Sequence, residues 1–239
     1  MEVTPYNTGE SKKEQVRHMF DAVAHRYDFL NHFLSLGIDK IWRRKTINEI
    51  GKLKPKKILD IATGTGDLAI AAASLSPEKI IGVDISEKML EAGRVKVEAR
   101  RLNNILSLQQ GDSEQLQFDN QTFDAVMVAF GVRNFQNLEK GLEEMHRVLN
   151  NNGKVFILEF SKPTLFPVKQ FYGIYSRYLL PLFGKLISGD ASAYTYLPES
   201  VKHFPSGNDF ALVLKQCGFT NIEIKPMTFG IVTLYIEAA

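Results

Sequence analysis

A chain of 239 residues, 44% of them apolar and 23% charged, is long enough for one sizeable core and needs no metal or disulfide staple. A formal charge of +2 excludes the strong basic excess usual in a nucleic-acid binder. The single cysteine, Cys217, excludes an internal disulfide and fits a reducing compartment.

The N-terminal MEVTPYNTGESKKEQ has no apolar stretch behind its charges, so no secretory signal is read there. It is also too acidic and too poor in arginine for an organelle transit peptide, and a cytoplasmic location is expected. Residues 1–57 read as a helical, basic cap. Val16, Met19, Phe20 and Val23 recur at helical spacing, as do Phe29, Leu30, Phe33 and Leu34. From Lys40 to Lys57, eight Lys or Arg residues face the single acid Glu49.

The pattern then changes. KKILDIA (56–62) is a short apolar run followed by TGTGD and a helical LAIAAASL. KIIGVDIS (79–86) is a second run, leading into a helix EKMLEAGRVKVEARR; ILSLQQGD (105–112) is a third. FDAVMVAFG (123–131) is a fourth, followed by a helix LEKGLEEMHRVL, and Asn151-Asn152-Gly153 turn into KVFILEFS (154–161). Strands alternating with helices predict a doubly wound α/β fold with a mostly parallel sheet. After Gly218-Phe219, NIEIKPM and GIVTLYIEA read as an antiparallel hairpin at one sheet edge, which brings the sheet to seven strands. A single domain spanning 1–239 is expected, with an insertion at 162–205 interrupting the alternation. Within it, Phe171 to Ile187 is the most apolar run of the chain. It is too short to span a bilayer, carries Arg177 and Lys185, and is broken by Pro181 and Gly184.

The strand–glycine turn–helix order at Asp60 to Asp67 reads as a nucleotide crevice, or as a glycine-rich β–α turn without a ligand. Gly64 and Gly66 let the backbone bend and approach a ligand, and the helix start favours an electronegative group. Asp84, 18 residues beyond Gly66 at the end of the second strand, has the position of an acid that accepts both ribose hydroxyls. It is also a candidate cap for the following helix. Gly111-Asp112-Ser113 ends the third strand. A dinucleotide fingerprint would have its third glycine at Ala69, a substitution that the fingerprint tolerates. Carboxylates at Asp60 and Asp67 suit an ammonium and a sulfonium better than a pyrophosphate, and with the closing hairpin they favour S-adenosyl-L-methionine.

With these pieces in order the chain resembles the class I methyltransferases, and more narrowly the C-methyltransferases of menaquinone and ubiquinone biosynthesis. The narrower resemblance rests on FDAVAHRYDFLN (20–31), FGVRNF (130–135), LEFSKP (158–163), QFYGIYSRYLLPLFGKLI (170–187) and YTYLPESVKHFP (194–205), and covers the chain from about Val16 onward. It implies that Thr65 and the loop glycines hold the methionine part of the cofactor, Asp84 the ribose, and Asp112 with Ser113 the adenine. Ubiquinone-pathway relatives often carry serine where Ala129 stands here.

The implied reaction moves a methyl group to a ring carbon of a prenylated quinol, demethylmenaquinol before a methoxy-polyprenyl-benzoquinol. It needs alignment and a group that favours the phenolate. No metal is expected, because His18, His25, His32, His146 and His203 are scattered without ligand partners. Arg133 and Asn134, after the fourth strand, are the candidate catalytic residues, with Tyr27 and Asp28 of the cap closing over the acceptor. Arg133 as a structural partner of an acid, and Tyr27 as a core aromatic, are the plainer alternatives. The aromatic insertion (Phe166, Phe171, Tyr172, Tyr175, Tyr178, Leu179, Leu182, Phe183, Ile187) suits a prenyl tail or a membrane surface, and equally ordinary core. The basic segment 40–57 is a candidate for anionic headgroups, or a solvated face. Three other readings compete: a methyltransferase for a soluble small molecule, a nucleic-acid methyltransferase and a regulatory nucleoside-binding domain. The nucleic-acid reading is disfavoured because the chain lacks an N/D-P-P-Y-like motif. A homodimer is compatible with the sequence.

Overall fold

A computed structural model describes residues 3–6, 8–175 and 191–238. The cap comprises α1 (Lys12–Val23), α2 (Tyr27–Leu34) and α3 (Ile38–Gly51). α1 starts sharply because Ser11 and Glu14 form a reciprocal capping box. The α/β body follows in order: β1 (Lys57–Ile61), α4 (Asp67–Ala72), β2 (Lys79–Asp84), α5 (Glu87–Ala99), β3 (Leu106–Gln110), β4 (Phe123–Ala129), α6 (Leu138–Val148) and β5 (Leu149–Phe160). α7 (Val168–Ile174), α8 (Ala191–His203) and α9 (Asn208–Gln216) precede the hairpin β6 (Thr220–Met227) and β7 (Val232–Ala238).

The seven strands lie in the order β3-β2-β1-β4-β5-β7-β6. The first five are parallel and β7 is antiparallel to both of its neighbours. Strand side chains alternate between two cores. In β4, Ala125 and Met127 join the α3–α4–α5 side, which includes Trp42, Ile50, Leu68 and Leu90. Val126 and Val128 join the α6–α9 side, with Leu142, Met145, Phe210 and Tyr235. Strands buried on both faces must be apolar throughout, and the runs read from the sequence are apolar for that reason. Two boundaries differ from the sequence reading. β5 begins at Leu149, directly after α6, because Leu149 already pairs with Phe123; a register shift before Ala125 pairs with Lys154 absorbs the expected Asn151–Gly153 turn. β3 ends at Gln110, two residues before Asp112.

The chain leaves β1 for β2 on one side and reaches β4 on the other, so the strand order reverses between β1 and β4. Ligands of open α/β sheets bind at the carboxyl end of such a switch point. The part of the 162–205 insertion between 176 and 190, including Tyr178, Leu179, Leu182, Phe183 and Ile187, lies outside the described residues.

Candidate active site

The glycine loop sits at this switch point. Gly64 and Gly66 have φ of +57° and +78°, a region that side-chain-bearing residues rarely adopt, and a Cβ on Gly64 would sit 3.3 Å from Met89 Cε. Asp60, wholly buried at the end of β1, holds the loop from behind: its carboxylate accepts the Thr63 hydroxyl at 2.6 Å and the Ala69 N–H at 3.1 Å. Burial lifts its carboxyl to about 7 despite those bonds, with the nearby Asp84 adding to the rise. Asp84 closes β2 and accepts the N–H groups of Gly64 (2.7 Å) and Ser86 (2.9 Å). Burial lifts it to about 6, the backbone donors pulling it back down. The capping role falls to Ser86, whose hydroxyl accepts the Met89 N–H of α5.

A cleft opens above these strand ends. On its sheet side lie Gly64, Asp84, Ile85, Met89 and the Gly111–Glu114 stretch; on its cap side lie Lys13, Val16, Phe20 and Tyr27. Ala129, Phe130, Gly131 and Asn134 form its far end. Of the residues singled out from the sequence, Tyr27, Gly64, Asp84, Asp112, Ser113 and Asn134 border this one cleft. Asp60, Thr65, Gly66 and Arg133 support it from outside. Tyr27 is enclosed deeply enough that burial raises its hydroxyl above the ordinary tyrosine value. The Thr65 hydroxyl donates to Asp28 of the cap (2.5 Å), and Lys96 reaches from α5 to Asp28 and Asp67, both at 2.6 Å. Asp67 is thus committed to Lys96, with Arg43 and His32 also nearby, and does not face the cleft.

Arg133 lies on the loop after β4 and turns inward. Its Nη1 donates to Glu159 Oε1 (2.7 Å) and to the Phe130 carbonyl (2.6 Å), and its Nε donates to Ser200 Oγ (3.3 Å). Glu159 is wholly buried in β5 and also accepts the Phe160 N–H. Burial pushes its carboxyl up and the Arg133 charge opposes the rise. The guanidinium carbon stands 5.4 Å from the centre of the Phe160 ring. Arg133 borders a neighbouring cavity, shared with Lys12, Tyr196, Ser200 and Phe204, in place of the main cleft. The plainer reading of Arg133, an arginine paired with an acid, describes these contacts. Asn134 accepts the Tyr196 hydroxyl at 3.1 Å, so α8 rests on this loop through Tyr196 and Ser200 together.

Sequence reasoning missed four contributors. Glu159 was visible as a lone charge inside the apolar run VFILEF. Lys13 of the cap donates to Asp112 (2.7 Å) and Glu114 (2.9 Å), and Glu114 in turn accepts the Gln136 and Asn137 N–H groups. Lys96 and Tyr196 carry no comparable signal. Among the described residues, no group of three His, Cys, Asp or Glu side chains is arranged to hold a metal ion. Nor is any described helix long and apolar enough to cross a membrane.

A model of the ubiE/COQ5 methyltransferase family matches residues 8–238. The demethylmenaquinone methyltransferase of Bacteroides fragilis is 49% identical over 234 residues, covering 98% of this chain and 96% of the relative. The ubiquinone/menaquinone biosynthesis C-methyltransferase UbiE of Citrifermentans bemidjiense is 46% identical over 94% of this chain and 96% of its own length. Among solved structures, a putative S-adenosyl-L-methionine-dependent methyltransferase from Methanococcus maripaludis shares the fold, with a TM-score of 0.60 and 20% identity over 98% of this chain and 95% of that one.

Proposed function

The chain belongs to the ubiE/COQ5 methyltransferase family, and from that premise we propose that it transfers a methyl group from S-adenosyl-L-methionine to a ring carbon of a prenylated quinol, converting demethylmenaquinol to menaquinol. The carrying observation is the division of the cleft at the switch point. One half is glycine backbone and carboxylates, Gly64, Asp84 and Asp112; the other is Tyr27, Phe130, Gly131 and Asn134.

The polar half fits the cofactor. The Asp84 carboxylate accepts backbone N–H groups from the loop and the start of the next helix and borders the cleft, where ribose hydroxyls would donate to it. Gly64 leaves open the space that a Cβ would take, Asp112 and Ser113 border the position for adenine, and Thr65 and Gly66 fix the loop around the methionine part. Asp60 acts through the loop it ties down. Bound adenosylmethionine supplies an electrophilic methyl group and needs no metal. The protein's part is therefore to align an acceptor carbon and to favour the ionised form of its neighbouring hydroxyl. Asn134 and Tyr27, which both line the cleft, orient that hydroxyl. Arg133, fixed by Glu159, contributes positive potential from just behind Phe130. Phe130 and Phe20 offer the quinol ring an apolar slot.

The test supplies labelled adenosylmethionine with two reduced short-chain acceptors, a demethylmenaquinol and a methoxy-prenyl-benzoquinol. Label in the demethylmenaquinol is the expected result. Label in the benzoquinol alone would move the chain to the ubiquinone reaction that the name of the Citrifermentans relative also covers. Label in neither, with adenosylmethionine still bound, would overturn the quinol reading.

A further inference from the structure

The carboxyl edge of the sheet carries, beside the cleft, large apolar side chains that the fold does not bury. Phe29 and Leu36 stand out from α2 and its following turn, and Ile41 from α3; exposure runs from 50% at Ile41 to 85% at Leu36. Phe166, in the segment after β5, is 82% exposed, and Leu165, Phe171 and Ile174 beside it are exposed as well. Phe229, exposed in the turn between β6 and β7, links the two groups. On one side of it, Trp42 of α3 donates to the Thr228 hydroxyl at 2.8 Å. On the other, the Ser161 hydroxyl donates to the Gly230 carbonyl at 2.8 Å, and Pro163 packs against Gly230. Tyr175, just past α7, donates to the Leu34 carbonyl at 2.7 Å and brings the second group back to α2. The segments that carry these apolar residues are therefore tied to one another along one rim of the fold.

The charges on the rim have a single sign. Between residues 29 and 45 the exposed charged residues are Lys40, Arg44 and Lys45, while the one acid, Asp39, is buried against His32, Ser35 and Arg43. Between 162 and 174 they are Lys162 and Lys169, with no acid in that stretch. Inside the rim, Trp42, Phe130 and Phe160 form an aromatic cluster, with Phe130 and Phe160 centred 4.5 Å apart and Trp42 about 6 Å from each. Phe130 is also a wall of the cleft. A packed aromatic cluster thus lies between the rim and the site.

We propose that this cation-fringed apolar rim is a docking surface for an anionic lipid bilayer. Large apolar side chains held out at a turn enter the headgroup region, and flanking Lys and Arg meet anionic phosphates there. Docked in this way, the Trp42–Phe130–Phe160 cluster faces the lipid, so an acceptor's ring reaches the cleft while its tail stays in the bilayer. That last consequence rests on the quinol reading; the docking itself does not.

The test floats the full chain with vesicles of phosphatidylcholine, alone or with about one-third phosphatidylglycerol. The chain is expected to bind the anionic vesicles and to be released as salt is raised. The double variant Leu36→Ser, Phe166→Ser should lower the bound fraction roughly tenfold, since both side chains are largely exposed and neither holds the fold. Lys40→Glu with Lys162→Glu should remove the preference for anionic lipid. Methyl transfer to a short-chain acceptor in solution, measured in parallel, should be unchanged in both variants. Wild-type binding without any methyl transfer would leave the docking standing and defeat the quinol reading. Absence of binding, or binding that survives the apolar variant, would overturn the docking. So would a self-associated chain that the same variant dissociates, because the rim would then be covered by a second copy.

Discussion

Two wholly buried acids in paired strands, Glu159 of β5 and Glu237 of β7, are handled in opposite ways. Glu159, at the carboxyl edge beside the site, is given the Arg133 guanidinium and the Phe160 amide. Glu237 pairs in register with Val155, four residues back along β5 toward the other edge, and neither of its carboxylate oxygens has a hydrogen-bond partner. Burial raises both carboxyls; at Glu159 a cation opposes the rise, and at Glu237 nothing does. At Glu159 a guanidinium and an amide match the buried charge, whereas at Glu237 no donor does and burial favours the protonated acid.

Breaking the matched pair gives the largest expected effect. Arg133→Met leaves Glu159 buried without its cation and frees the loop from Ser200, at a cost of roughly 3–5 kcal/mol. Urea unfolding at pH 7 measures it. A loss below about 1 kcal/mol would mean that Glu159 is already neutral and that the two acids are alike after all.

Asp84 sharpens the comparison, because it too is raised by burial yet is partnered by backbone N–H groups. The ribose-binding role proposed for it requires the ionised form, so adenosylmethionine affinity should fall as pH drops through about 6. Stability runs the other way: a carboxyl raised above its ordinary 3.8 holds its proton more tightly when folded, and stability declines as pH rises from about 3.8 to about 6. Asp84→Asn removes both slopes and should weaken adenosylmethionine binding roughly 100-fold at pH 8 by calorimetry, the loss of charge-assisted hydrogen bonds. A binding curve flat in pH for the native chain would deny Asp84 that role.

What the sequence disclosed follows the same division. The β1–glycine loop–α4 unit, the position of Asp84 and the C-terminal hairpin were legible because each is encoded locally, by apolar runs such as Ile58–Ile61 and by glycine spacing. The Arg133–Glu159 pair joins residues 26 apart, Lys96–Asp28 residues 68 apart, and Lys13–Asp112 residues 99 apart. No periodicity records such partnerships. They arise once the parallel sheet has brought the loop ends together and the cap has settled over them. For that reason an acid partner for Arg133 can be expected from the sequence but not identified, and nothing in the sequence points to Lys13. The start of β5 differs on similar grounds: Asn151 to Gly153 look like a turn, and pairing of Leu149 with Phe123 outweighs that local preference.

At the far edge, Glu237→Met should stabilise the chain by roughly 1–3 kcal/mol, since it replaces an unsatisfied carboxyl with an apolar side chain of similar length. The sign fixes the pH dependence. A folded carboxyl raised well above 4.5 favours the native state fully below about pH 4.5, and that advantage is lost as pH rises through the folded value. The gain from Glu237→Met should therefore be larger at pH 8 than at pH 5 in urea titrations. Equal gains would indicate a partnered carboxylate in solution.

Asp124, also at the far edge, supplies the finest test because its slope has the opposite sign. At the start of β4, its carboxylate accepts the Lys56 and Lys57 N–H groups at 2.7 and 2.8 Å and the Asn150 amide at 2.6 Å. Burial alone would raise it, but these donors together hold it below 3.8. A depressed carboxyl contributes stability that is present above its unfolded value and lost as pH falls through the folded one. Asp124→Asn keeps an acceptor but loses the charge, so it should cost about 1 kcal/mol at pH 7, solvent screening limiting the effect. That cost should shrink as pH falls below 3.8, whereas the gain from Glu237→Met grows as pH rises above 4.5. If the two variants shifted stability in parallel across pH, the far edge would have one electrostatic character, and satisfaction by neighbouring N–H groups would not be what separates a tolerated acid from a stabilising one.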